Sequence, residues 1–167
     1  MQLTRAADYA VRVMVHLAEI PRGQRVSLPV IAEATGAPES FLSKVLQSLT
    51  RAKLITSRRG PAGGFQLSAH GRQVSMRTVI EAIDGPMSLN VCLSEKRSCS
   101  RQLWCPAHPV WVKAQEVLLE VLNSALIADL ASGAHAAISI PADQRQAQTT
   151  RTAAAKIRSL TGLKSKT

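Results

Sequence analysis

The stretch 28–67, LPVIAEATGAPESFLSKVLQSLTRAKLITSRRGPAGGFQL, contains the pattern that decides the fold. The helical spacing of its apolar residues predicts two short helices, joined by a turn at Gly36, with Pro38 as the first residue of the second. β-Branched residues then predict a strand over 54–59, and a glycine-rich turn leads into a returning strand over 65–67. A helix-turn-helix followed by such a hairpin predicts a winged fold, whose second helix enters the major groove of duplex DNA.

The second helix of this stretch has an apolar face and a polar face. The residues predicted to face the core are Phe41, Leu42, Val45, Leu46 and Leu49. Hydroxyl, amide and cationic groups can bind base edges and phosphates, so the outward residues are candidate DNA contacts. These residues are Ser40, Ser43, Lys44, Gln47 and Arg51. An ordinary solvated face is the alternative, but the basic hairpin that follows favours DNA binding.

The hairpin adds four further candidate DNA contacts. Arg58 and Arg59 are placed for phosphate or minor-groove contact. Gly63 and Gly64 are expected to let the backbone approach a phosphate chain closely.

Helical periodicity also predicts the elements on either side of the winged region. A first helix with Thr4 as its N-cap precedes it, and a short helix over 75–83 follows it. An apolar-rich helix is then expected from about 109 to 130. Because this helix is apolar on more than one side, we expect it to bury a second surface in a homodimer. The expected fold is therefore mainly α with a small β-hairpin wing, plus a long dimerisation helix.

Three segments follow from these elements. Residues 1–70 are expected to form the DNA-binding domain, and residues 71–132 the cysteine loop and the dimerisation helix. Residues 133–167 are rich in Ala, Gln, Thr, Lys and Arg, and we interpret them as a flexible basic tail. The tail has six Lys/Arg and one Asp, half of the formal net charge of +10.

Composition excludes several classes of function. The positive net charge favours a polyanionic partner, and an aromatic content of 3% argues against single-strand binding by base stacking. Neither a long apolar run nor a signal-peptide pattern is present, so we expect a cytoplasmic protein without membrane association. We find no P-loop, dinucleotide fingerprint or nucleophile–base arrangement. The chain is therefore not expected to be an enzyme or to take a small-molecule substrate.

All three cysteines lie in one polar segment, at Cys92, Cys99 and Cys105. Thiolates bind zinc, copper(I) or iron–sulfur clusters. Structural zinc sites usually use cysteine pairs two to four residues apart, whereas these gaps contain six and five residues. The spacing therefore favours an iron–sulfur cluster over zinc by a modest margin, and a thiol redox switch is a further alternative.

The combination of these motifs resembles the Rrf-type family of winged-helix regulators over about residues 1–130. The resemblance is carried by MQLT with Asp8-Tyr9-Ala10, by PESFLSKVL at 38–46, by RRGPAGGF at 58–65, and by the cysteine loop running into His108 and Trp111. It implies a homodimeric repressor or dual regulator with a 2Fe–2S or 4Fe–4S cluster on the three cysteines. The signal would be iron, redox or nitric oxide status, acting on operator affinity.

The resemblance leaves two candidates for the fourth ligand of that cluster. His108 matches the position used by Isc-type 2Fe–2S members, although the first cysteine gap is six here and five in that type. Asp8 matches a carboxylate that nitric-oxide-sensing 4Fe–4S members supply from the partner subunit. Asp8 could instead pair with Arg12, and His108 could cap the long helix. Two alternative interpretations of the whole chain are a regulator with a structural zinc or thiol-redox site and a cluster-bearing redox protein.

Overall fold

Helices account for most of the described chain. The computed structural model describes residues 3–60, 62–94 and 99–133, so Pro61 and nearly all of the predicted tail lie outside the described residues. The helices are α1 (Arg5–Glu19), α2 (Leu28–Thr35), α3 (Glu39–Arg51), α4 (Met76–Asp84), α5 (His108–Ser124) and α6 (Ile127–Ser132). Two antiparallel strands, β1 (Ile55–Arg58) and β2 (Gly64–Leu67), form the hairpin. The predicted mainly helical fold with a β-hairpin wing is confirmed.

Helix α1 lies at the centre of the fold, in contact with α2, α3, α4, α6 and β2. Its N-cap is Thr4, as predicted, and the Thr4 side chain accepts a hydrogen bond of 3.2 Å from the amide of Ala7. The core holds large apolar side chains from five helices and a strand, each contributing about 1.5–3 kcal/mol by burial. The largest of these are Met14, Ile31, Leu42, Leu46, Leu49, Ile55, Ile80 and Ile127.

Two details of α3 differ from the prediction. Pro38 is the N-cap, so the helix begins one residue later, at Glu39. Phe41 is exposed instead of facing the core. Its ring and the Tyr9 ring form a T-shaped contact with a centroid distance of 5.5 Å. The other predicted inward residues, Leu42, Val45, Leu46 and Leu49, are all buried.

The hairpin is extended by a short piece of a third chain segment. Val26, just before α2, forms an antiparallel bridge with Phe65 of β2. Its amide donates to the Phe65 carbonyl at 2.9 Å, and the Phe65 amide donates back at 2.8 Å. Because an isolated two-stranded hairpin is only marginally stable, this bridge helps to hold the wing on the helical body.

The helix predicted over 109–130 is broken. Helix α5 ends at Ser124, and Ala125 and Leu126 are extended. The amide of Met76 donates to the carbonyl of Ala125 at 2.8 Å, and Leu126 forms a β-bridge with Ser75. This crossing returns the chain to the core, where α6 places Ile127.

Helix α5 has one covered and one uncovered apolar face. Leu118, Leu119 and Leu122 pack against the buried residues at the junction of α1 and α4. Another side of the helix exposes Val110, Val117 and Val121, and Trp111 is exposed in the first turn. No helix within the described ranges is long and apolar enough to cross a membrane.

Candidate functional site

The outward face of α3 and the wing enclose a groove of about 560 Å³. Ser43, Gln47 and Arg51 line it from α3, and Arg58 and Arg59 line it from the wing. The structure therefore brings five of the nine predicted DNA-contacting residues to one concavity. Ser40 and Lys44 are exposed on the same helix without lining the groove.

The cationic groups of this surface are available for a ligand. Lys44, Arg51, Arg58 and Arg59 are exposed, and none of them forms an ion pair within the part of the chain that the structure describes. The Ser43 hydroxyl donates to the Glu39 carbonyl at 3.0 Å, which leaves its oxygen free to accept. Unpaired cations beside short polar groups are the combination that binds phosphates and base edges.

The structure gives the two wing glycines an internal role. A Cβ atom on Gly63 would clash with the carbonyl oxygen of Arg58. Gly64 has a φ of +129°, and a Cβ atom there would lie 2.6 Å from the carbonyl oxygen of Val26. Both glycines are therefore needed for the hairpin to close and to bridge Val26, whereas their contact with phosphate stays a prediction.

A half-buried arginine that the sequence analysis did not single out lies at the base of the wing. The guanidinium group of Arg25 donates from Nη1 to the Gly64 carbonyl at 3.3 Å. Gly64 is the residue paired with Arg58 across the hairpin. The bond joins residues 39 positions apart, so no local pattern in the sequence could have shown it.

The cysteines lie between α4 and α5, and all three are half-buried free thiols. Cys92 belongs to a short 3-10 helix, Val91–Leu93, in contact with α5. Cys99 begins a turn in which its carbonyl accepts from Gln102 at 3.1 Å. The carbonyl of Cys105 accepts from the amide of His108, the first residue of α5, at 3.0 Å.

The cysteine segment has suitable donor atoms for a metal group, but the described residues do not bring them together. The donors have the right chemistry, because three thiols are accompanied by a buried His108 Nδ1 atom, which has no hydrogen-bond partner among the described residues. That nitrogen does not cap α5, whose N-cap is Ala107. Nevertheless, across 3–60, 62–94 and 99–133 no three His, Cys, Asp or Glu side chains lie close enough together to hold a metal ion.

The second candidate ligand, Asp8, is engaged elsewhere in this single chain. Its carboxylate pairs with Arg12 one turn later at 2.8 Å, as the alternative interpretation expected. Both side chains are about half exposed, so the ion pair stabilises the fold by only about 0–1 kcal/mol. Asp8 could therefore leave Arg12 for another partner at little cost. Ligation by Asp8 from a partner subunit stays a prediction.

The segment that leads to the cysteines is attached to both neighbouring elements. Met87, two residues after Gly85, the C-cap of α4, is buried together with Ala7 of α1 and Ile80 of α4. The amide of Leu89 donates to Oε1 of Gln115 on α5 at 3.0 Å. The start of the cysteine segment therefore contacts α1, the central helix on which α3 packs.

Comparison with known proteins agrees with this architecture. The family model Rrf2, described as iron-dependent transcriptional regulator, matches residues 3–133. The HTH-type transcriptional regulator ORF2 of Azotobacter vinelandii is 34% identical over 130 residues, covering 78% of this chain and 79% of the relative. The regulator IscR of Vibrio vulnificus is 32% identical over 132 residues, covering 79% and 78%.

A solved structure shows the same fold. The structure of CymR, the global cysteine regulator of B. subtilis, aligns with a TM-score of 0.64 at 26% identity. The alignment covers 79% of this chain and 97% of that one.

Proposed function

Since this chain belongs to the Rrf2 family of transcriptional regulators, we propose that it binds duplex DNA as a cytoplasmic homodimer. We further propose that its affinity for DNA depends on an iron–sulfur cluster. The family binds DNA through a winged helix and is not a family of enzymes. For DNA binding, the observation that carries the proposal is the groove between α3 and the wing, around which Arg51, Arg58 and Arg59 have no ion-pair partner in the described ranges. Its cationic lining suits a phosphate backbone.

The DNA contacts divide between base reading and phosphate binding. We propose that Ser40, Ser43 and Gln47 read base edges, because short hydroxyl and amide groups at helical spacing face the major groove in this class of fold. Lys44 and Arg51 flank them on the same helix, and Arg58 and Arg59 extend the phosphate contact from the wing, close to Gly63 and Gly64. The two copies in a homodimer would then meet two half-sites.

Cys92, Cys99 and Cys105 are the proposed cluster ligands, with His108 as the fourth. His108 is preferred to Asp8 because its buried Nδ1 has no hydrogen-bond partner in the described part of the chain, a cost that a metal would remove. Asp8 is already paired with Arg12. When bound, the cluster would link the three thiolates to one another. It would also be the group that responds to iron shortage, oxidation or nitric oxide. Because the described segments do not assemble the donors, binding would have to rearrange the loop between α4 and α5.

The residues of the chain itself suggest how the state of this loop reaches the DNA. Met87 at the root of the loop packs on Ala7 of α1, and α1 packs on α3. A shift of the root would therefore move α1 and alter the spacing of the recognition helices. A coupling of about 1–3 kcal/mol would change occupancy roughly 5- to 150-fold.

The test is anaerobic purification followed by a visible spectrum and analysis of iron and sulfide. We expect a coloured protein, and duplex binding that differs at least about fivefold before and after chelation of the iron. Cys99→Ser should lose both iron and this difference, whereas Ser100→Ala is the matched control beside it. Iron-free protein, or equal affinity in both states, would contradict the cluster proposal.

A second candidate is a regulator whose three thiols sense oxidants without metal. It is favoured by the half-buried, free state of the cysteines and by the absence of an assembled donor group in the described segments. It predicts DNA affinity that changes with a thiol oxidant in iron-free protein. A structural zinc site, by contrast, predicts a colourless protein with about one zinc per chain.

A further inference from the structure

We infer that Arg25 is a positioning residue for DNA binding, which holds the wing at Gly64 and thereby directs Arg58 and Arg59 toward the duplex. The inference rests on the proposed contact of the wing with DNA. Nothing in the motifs or in the family description assigns Arg25 a role. Its bond to the Gly64 carbonyl, at 3.3 Å, is its only side-chain hydrogen bond in the described part of the chain.

The place of this bond in the hairpin decides what it can do. Gly64 lies directly opposite Arg58, the last residue of β1, and Arg59 follows at once. The hairpin has only four residues in each strand, too few to fix the direction of its tip without outside contacts. Such contacts come from the segment before α2, through the Val26 bridge to Phe65 and through Arg25.

Gly64 makes the attachment close. With a φ of +129° and no room for a Cβ atom beside the Val26 carbonyl, its backbone lies directly against the segment that carries Arg25. Val26 itself is buried, so this segment is fixed to the core. Arg25 is therefore a link between a fixed segment and the strand residue that faces Arg58.

Charge alone would give Arg25 a different role. As a third cation near the wing, it could contact a phosphate directly, and its loss would then add to the loss of the wing arginines. However, Arg25 does not line the groove between α3 and the wing, whereas Arg58 and Arg59 do. Arg25 is therefore expected to act through the wing arginines, and the two roles differ in whether the effects add.

The experiment is a double-mutant cycle, read by fluorescence anisotropy on a labelled duplex of about 30 base pairs that the wild-type protein selects from a random pool. Arg25→Ala should weaken binding about fivefold in the wild-type background, the size expected from one net hydrogen bond. In the Arg58→Ala/Arg59→Ala background the same change should alter affinity by less than about twofold. In that background, Arg25→Ala should also leave the salt dependence of DNA binding unchanged.

Arg22→Ala is the matched control, because Arg22 is an exposed cation on the same connection that forms no hydrogen bond with the wing among the residues that the structure describes. Its small effect should be equal in both backgrounds. Arg25→Met, which keeps the apolar stem, replaces the Ala variant if the latter melts at a lower temperature.

Each remaining outcome contradicts one specific statement. Equal losses from Arg25→Ala in both backgrounds would show a direct phosphate contact, and no loss in either would show no role. Both results overturn the inference while leaving the wing contact intact. If Arg58→Ala/Arg59→Ala binds DNA as the wild type does, the proposed wing contact itself is wrong, and the inference is wrong with it.

Discussion

Two glycines show how the surroundings of a single residue decide its importance. Gly23 and Gly64 both have positive φ values, +87° and +129°, that favour glycine. Around Gly23 a Cβ atom would meet nothing within 4 Å, whereas at Gly64 it would meet the Val26 backbone at 2.6 Å. The sequence cannot show this difference, because Val26 and Gly64 lie in separate parts of the chain.

Gly64→Ala should therefore destabilise the protein more than Gly23→Ala. The strained backbone conformation alone costs about 1–3 kcal/mol in each variant. At Gly64 the backbone contact adds about 1–3 kcal/mol, because either Val26 or the wing must move. Urea unfolding of the two variants measures the difference, and equal midpoints would contradict the close contact.

Residue identity was enough to find the candidate contacts on α3 and the wing. Their polar and cationic character is local information, and the structure places Ser43, Gln47, Arg51, Arg58 and Arg59 around one groove. Arg25 was missed because its role depends on a bond between distant segments. The cysteine spacing likewise named the donors, but it could not say how the loop arranges them.

At the scale of the helix, the start of α1 depends on a residue from α4. In a capping box the third helical residue would accept a bond from the N-cap amide, but that residue here is Ala7. Asp84 takes this role from 80 positions away. Its Oδ2 accepts from the Thr4 amide at 3.2 Å, and its Oδ1 accepts from the Thr4 hydroxyl at 2.6 Å.

Asp84→Ala is therefore expected to lower the free energy of unfolding by about 1 kcal/mol, as the loss of an N-cap does. Thr4→Ala should have a similar effect, and the double variant should lose clearly less than the sum, because both act on one set of bonds. Thermal melts of the four proteins measure this cycle. Glu33→Ala, which removes an exposed carboxylate from α2, is the control, and additive losses would refute the shared cap.

The elements that the sequence mispredicted share one physical cause. Ala125 and Leu126 are good helix formers, yet the backbone of this pair bonds to the segment before α4 instead of continuing α5. Phe41 fits the apolar periodicity of α3 but packs on Tyr9 at the surface. In both places a long-range contact overrode the local pattern.

At the scale of the whole molecule, the exposed side of α5 is the proposed dimer surface. Val110, Val117 and Val121 form a stripe along the helix beside Trp111, and between 39% and 66% of each of these four residues is exposed. A continuous apolar stripe of this kind is unusual on a monomer and suits a second copy of the same helix.

Val117→Glu should therefore weaken the dimer at least about tenfold, because the interface would have to bury an unpaired carboxylate. Sedimentation velocity over a range of protein concentrations measures the change. Glu120→Lys alters the charge of the same helix outside the stripe and should leave the dimer unchanged. A wild-type protein that sediments as a monomer, or a Val117→Glu variant that dimerises normally, would contradict this interface.

The return of the chain through the bridge between Ser75 and Leu126 has a consequence for proteolysis. A protease that cuts after the exposed Arg101 would leave α5 packed on α4 and would leave Ile127 buried in the core. The two fragments should stay together, with Cys92 and Cys99 on one and Cys105 on the other. A nicked protein would thus keep its winged helix intact while its three thiols no longer belong to one continuous polypeptide.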